Sequence, residues 1–121
     1  MQYMLLIYDD EQQWQRMSEG ERKAIMQEYF AYTSSLREKG QFVDGAPLQP
    51  TTTATSVRVR EGDTLVTDGP FAETKEQLGG FYLVEAESVD EAIELASRIP
   101  SARLGTIEVR PVMEIHAPTP A

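Results

Sequence analysis

The stretch DGPFAETKEQLGGFY, residues 68–82, decides how the rest of the chain is read. It links two strand-like segments through polar and charged side chains whose backbone is tightly constrained. Gly69 stands before Pro70, which biases it to extended forms, while Pro70 fixes its own φ. Gly79 and Gly80 let the chain bend, or approach another group closely, before an apolar strand opens at Phe81. That strand, Phe81-Tyr82-Leu83-Val84, is apolar on both alternating faces, so it expects cover on both sides.

Working back towards the N-terminus, residues 55–67 read as a hairpin. Val57 and Val59 alternate with Arg58 and Arg60, Glu61-Gly62-Asp63 turns the chain, and residues 64–67 return. Residues 51–55 favour extended chain through β-branching. Residues 41–48 form a weaker strand, broken by Asp44-Gly45 and Pro47. Ser18 with Glu21 is a capping box, opening a helix over residues 19–39 that Gly40 stops. Ile25, Tyr29, Tyr32, Thr33 and Leu36 form its apolar stripe, widened by Met26 and Phe30. The first strand, residues 2–8, is again apolar on both faces: Tyr3, Leu5 and Ile7 against Met4, Leu6 and Tyr8. Asp9-Asp10 ends it.

Working forward, Ser88 with Glu91 is a second capping box. It opens a helix over residues 89–99 that buries Ala92, Ile93, Ala96 and Ile99, with Pro100 as the stop. Residues 106–115 form the last strand, interrupted at Pro111. One domain therefore covers residues 1–116, and the Pro-rich residues 117–121 read as a disordered tail. The order is β-α-β-β-α-β with an extra hairpin, an α+β ferredoxin-like domain. Its helices cover one face of the sheet only. Strands 3–8 and 81–84 are apolar on the other face too, and a second copy is the simplest cover. This predicts a homodimer with the sheets packed face to face.

Composition narrows the function. A length of 121 residues fits one domain, with core enough to need no staples. Twenty acidic residues against eleven Lys and Arg give a net charge of −9. Such a surface repels phosphate backbones and anionic lipid, so no direct nucleic-acid partner is expected. The chain contains no cysteine, which excludes disulfides, thiolate catalysis and thiolate metal sites. The start of the chain carries no basic flank or cleavage signature, and no run is long enough for a membrane span. The expected location is cytoplasmic, with no membrane partner.

The run at residues 68–82 resembles the signature of the DGPF-domain proteins, a branch of the YCII-related family within the dimeric α/β-barrel superfamily. Residues 3–8, Leu48-Gln49-Pro50 and residues 108–113 add to the resemblance, which spans about residues 1–115. It implies a ferredoxin-like domain that dimerises through its sheet. It also implies a regulatory or accessory link, since members resemble products encoded beside extracytoplasmic-function sigma factors. Proposals for the wider family invoke a site built on a His and an Asp, the His coming from the first helical region. The first helix here offers Tyr29 and Tyr32 but no histidine, so that dyad does not carry over.

Among the residues themselves, Asp68 is the candidate catalytic carboxylate, as general base or ligand acceptor; the alternative is that it caps the Gly69-Pro70 turn. Glu73, Lys75 and Glu76 set mixed charge beside it, with Lys75 able to neutralise an anionic ligand; the alternative is a solvated loop with weak surface ion pairs. Phe71 is a ligand platform or an apolar anchor for the loop. Tyr8, Tyr29, Tyr32 and Tyr82 line core or cleft, each keeping a hydroxyl for a partner, and Tyr82 joins the ligand-binding candidates. Arg110 either binds a carboxylate bidentately or pairs with an acid of the sheet. His116, the only histidine, reads as a solvated tail residue. One histidine and no cysteine argue against a transition-metal site. Asp9, Asp10 and Glu11 leave an all-carboxylate site open, but no loop has the spacing of a calcium hand. No P-loop, dinucleotide fingerprint or Ser-His-Asp triad is present, so no cofactor is expected.

Three functions remain: a small-molecule-binding or accessory regulatory protein in a sigma-factor-linked pathway, a cofactor-independent small-molecule enzyme using an acid of the signature loop, or a purely structural dimer module.

Overall fold

A computed structural model describes residues 1–118. Its elements are strand β1 (Gln2–Asp9), helices α1 (Glu11–Arg16) and α2 (Glu19–Glu38), strands β2 (Phe42–Pro47), β3 (Thr55–Arg60), β4 (Asp63–Asp68) and β5 (Gln77–Glu85), helix α3 (Val89–Ser97) and strand β6 (Thr106–Pro111). Short 3-10 turns occupy Thr51–Thr53 and Pro100–Arg103. Four strands form an antiparallel sheet in the order β2-β5-β1-β6, and β3 pairs with β4 in a separate ribbon. With α2 and α3 joining the strands as crossovers, this is the expected ferredoxin-like α+β fold plus its extra hairpin.

Period-2 alternation builds the core. Tyr3, Leu5 and Ile7 of β1 and Tyr82 and Val84 of β5 point to one face and are buried there. Tyr32 and Leu36 of α2 and Ala92, Leu95 and Ala96 of α3 close over them. Each fully buried Leu, Ile or Val contributes about 1.5–3 kcal/mol relative to exposure, and truncating Leu36 to Ala would cost roughly 2–5 kcal/mol. Both capping hydroxyls act as expected: the Glu21 amide donates to Ser18 Oγ at 3.1 Å and the Glu91 amide to Ser88 Oγ at 3.2 Å. On the opposite face of the sheet, Met4, Leu6, Phe81 and Leu83 are only half-buried, and no helix among the described residues covers them.

Several local expectations need correcting. Asp9-Asp10 does not simply end the first strand: Asp10 caps α1, its carboxylate accepting from the Gln12 amide at 2.9 Å. Gly79 and Gly80 lie inside β5 rather than bending the chain before it. They are needed for close approach. A Cβ on Gly80 would sit 2.9 Å from the Ala46 carbonyl of β2, and Gly79 is the extra residue where the β1–β5 register shifts. Helix α3 ends at Ser97, and Pro100 opens a 3-10 turn. Ile93 is exposed while Leu95 is buried, because α3 meets the sheet through the Ala92, Leu95, Ala96 stripe. The last strand ends at Pro111, and Met113 and Ile115 are exposed. Residues 119–121 of the expected tail lie outside the described residues; Ala117 and Pro118 are exposed and carry no regular structure. No helix among the described residues is long and apolar enough to cross a membrane.

Candidate functional site

Strand alternation carries one step beyond the core. Asp9 follows Tyr3, Leu5 and Ile7 on the same face, two residues past the last buried one, so its carboxylate points to the helix side of the sheet. It lies over Gly79, where an added Cβ would come within 3.3 Å of its Oδ1. It forms part of the floor of a cleft of about 380 Å³. Tyr29, Phe30 and Thr33 of α2 and Trp14 of α1 wall the cleft, and Leu48 and Pro50 lie on its far side. Largely apolar walls with a few convergent polar groups are what small-molecule sites share.

Hydrogen bonds hold these walls. Both Glu11 oxygens are occupied: Oε1 accepts from the Thr51 amide at 2.7 Å and Oε2 from Thr51 Oγ1 at 2.8 Å. The first turn of α1 is thereby tied to the 3-10 turn beside Leu48 and Pro50. Arg22 of α2 donates to the Met17 carbonyl at 2.6 Å and the Trp14 carbonyl at 3.3 Å, fixing the far end of α1. The Tyr29 hydroxyl and Ser101 Oγ are 2.6 Å apart, and Ser101 is only 4% exposed. Thr33 Oγ1 and the Tyr82 hydroxyl are 2.7 Å apart.

Burial pushes the Asp9 carboxyl above the usual carboxylate value, a hydrogen bond with Ser101 opposes this, and the nearby Glu76, Glu11 and Asp10 push it further up. Burial likewise raises Tyr29 and Tyr82, each opposed by its hydroxyl partner, so both phenols stay protonated at neutral pH. Asp9 is therefore a half-buried acid in an apolar cleft, beside a phenol and a buried serine. It can accept from a ligand donor when ionised and donate when protonated.

The signature loop lies elsewhere. Asp68 ends β4 opposite Thr55, is exposed, and does not line the cleft. The turn that follows is held by the end of β3: the Gly69 amide donates to the Ala54 carbonyl at 2.7 Å, and Ser56 Oγ to the Gly69 carbonyl at 2.7 Å. Phe71 is 82% exposed, and Glu73 and Lys75 are exposed beside it. Arg110 stands on the uncovered face of the sheet, opposite Met4, without an ion partner among the described residues. Of Asp68, Phe71, Glu73, Lys75, Tyr82 and Arg110, Tyr82 alone lines the cleft.

The sequence offers Asp9 only as part of an all-carboxylate metal site, and it does not point to Ser101 or Trp14 as site residues. The alternation Tyr3-Leu5-Ile7-Asp9 was a usable signal for the first; Ser101 carries none, since its burial depends on α2 packing over the Pro100–Arg103 turn. Asp9, Asp10 and Glu11 diverge into cleft, helix cap and rim, and no group of three or more His, Cys, Asp or Glu among the described residues could hold a metal.

The YCII-related domain matches residues 1–116. An uncharacterised protein of Rhizobium meliloti is 42% identical over 114 residues, spanning 93% of this chain and 92% of that one. The solved structure of 5-chloro-2-hydroxyhydroquinone dehydrochlorinase from Burkholderia phenoliruptrix, in complex with 2,5-dihydroxybenzoquinone, aligns at a TM-score of 0.50 and 19% identity. The alignment covers 93% of this chain and 94% of that one, and the likeness is one of fold.

Proposed function

The chain belongs to the YCII-related family, and from that premise we propose that it is a small-molecule-binding protein whose ligand sits in the cleft floored by Asp9. The observation that carries this is one half-buried carboxylate facing apolar walls, with the other acid of the lining, Glu11, already engaged. Such a group is costly to maintain without a role, because burial disfavours its charged form.

Trp14, the only tryptophan, lines the cleft and reports on it. A metabolite panel titrated against its fluorescence should yield hits that also raise the melting point. Saturation at a hundredfold over Kd stabilises by about 2.7 kcal/mol. Phe30→Glu and Leu48→Glu, which charge the cleft walls, should weaken those hits. A panel without hits, or hits indifferent to both substitutions, would overturn the reading.

A second reading, cofactor-independent acid–base catalysis, is favoured by the raised Asp9 beside Tyr29 and Ser101. Asp9 is better placed for that role than Asp68, because it lies in the cleft. The sigma-factor link implied by the signature draws no support from this site.

The half-buried Met4, Leu6, Phe81 and Leu83 support a homodimer through the open face of the sheet. Light scattering should give twice the chain mass for the wild type and a monomer for Leu83→Glu. A monomeric wild type at micromolar concentration would exclude a stable dimer.

A further inference from the structure

We propose that the cleft selects a protonated organic amine with an aromatic or apolar body, and excludes carboxylates and phosphates. This rests on the cleft being the binding site, and adds the charge of what it takes.

The lining contains no Lys, Arg or His. Its neutral polar side chains are mostly committed to one another: Tyr29 to Ser101 and Thr33 to Tyr82. Glu11 has both oxygens on Thr51. Gln15, at the exposed edge, carries no charge. Asp9 is left as the anchor. It has no ion pair among the described residues, and beyond the influence of the neighbouring Ser101 most of its acceptor sites are open.

The charged groups around Asp9 are Glu76, Glu11 and Asp10, all acidic. The site therefore sits in a negative local field on a chain of net charge −9. An anion entering would meet an uncompensated carboxylate at low dielectric, whereas an ammonium would supply the missing counter-charge. Trp14, Tyr29 and Phe30 offer ring surface for the body of the ligand, and aromatic faces attract cations as well as apolar groups.

Three ring-matched probes decide it at pH 7: benzylamine, benzyl alcohol and benzoate, each followed by Trp14 fluorescence and calorimetry. Benzylamine should bind at least tenfold tighter than benzyl alcohol, and benzoate should be the weakest. Asp9→Asn should bring the amine-to-alcohol ratio close to one. Should that variant not fold, salt provides the second measurement on the wild type: added NaCl should weaken the amine and spare the alcohol. Benzoate binding as well as benzylamine, an amine preference that survives Asp9→Asn, or one insensitive to salt would overturn the charge selection while leaving the cleft a binding site. No response to any of the three probes would overturn the cleft as a receptor for aromatic bodies and this inference with it.

Discussion

Gly105→Ala tests the packing that supports Asp9. Gly105 lies between the Pro100–Arg103 turn and β6, against the end of β1. A Cβ added there would overlap the Tyr8 carbonyl oxygen and fall 2.9 Å from Asp9 Cα and 3.0 Å from Asp9 Cβ. Relaxed carbon contacts need about 3.5–4.0 Å, so backbone must move by the better part of an ångström. The main chain cannot yield freely. The Gly105 amide donates to the Ser101 carbonyl at 2.8 Å, and Tyr8 pairs with Thr106 in the β1–β6 ladder. Overpacking against fixed backbone costs typically 1–3 kcal/mol, and this site belongs at or above the upper end. For a chain of 121 residues the unfolding entropy is about 0.25 kcal/mol/K, so 3 kcal/mol corresponds to a fall in melting point of about 12 °C. Gly20→Ala is the matched control. Its Cβ would meet only Ser18 Oγ, at 3.9 Å, in the first turn of α2. There alanine gains helix propensity worth up to ~1 kcal/mol, raising the melting point. Differential scanning calorimetry measures both. A fall of less than about 3 °C for Gly105→Ala, under roughly 1 kcal/mol, would refute the steric reasoning.

Tyr32→Phe removes the hydroxyl that donates to the Leu95 carbonyl at 2.7 Å. That carbonyl keeps a bond from the Arg98 amide, so the loss should be about 1 kcal/mol in chemical denaturation. Ser18→Ala should cost about 1 kcal/mol by unmaking the α2 capping box, with Glu21→Gln, which preserves the box, milder. Asp9→Asn should stabilise the free protein at pH 7. The folded state raises the Asp9 pKa above its ordinary value of 3.8, so it binds more protons than the unfolded chain, and stability is lost as pH rises through that window. The gain from Asp9→Asn should accordingly vanish below about pH 3.8, as denaturation midpoints against pH would show. Tyr29, Tyr32 and Tyr82 all have raised pKa values through burial. Tyrosinate absorbance should therefore lag in the folded state above pH 10 and rise with unfolding.

Much of the fold was legible in the sequence because its signals are local. Two capping boxes marked α2 and α3. Alternating Val and Arg around Glu61-Gly62 marked the β3–β4 ribbon, whose turn needs φ of +51° and +82° at those two residues. Helix α1 was missed because six residues cannot declare a helical period, and its only mark was Asp10 as cap. Gly79 and Gly80 leave both a bend and a close approach open in the sequence, because the groups they approach, strand β2 and Asp9, are far away in sequence.

The site was less legible. Charge and special backbone cluster at Asp68 through Lys75 in the sequence, yet these side chains sit on a ribbon and loop exposed on the single chain. By itself the sequence determined the two long helices, the sheet strands and their order, and the family, since these follow from neighbours a few positions apart, and its composition set the acidic, cysteine-free surface. Only the tertiary structure decided which carboxylate faces a cleft. Asp9, Trp14, Tyr29 and Ser101 lie up to 92 positions apart, and they meet only because α2 packs across the end of β1 and over the turn at Pro100.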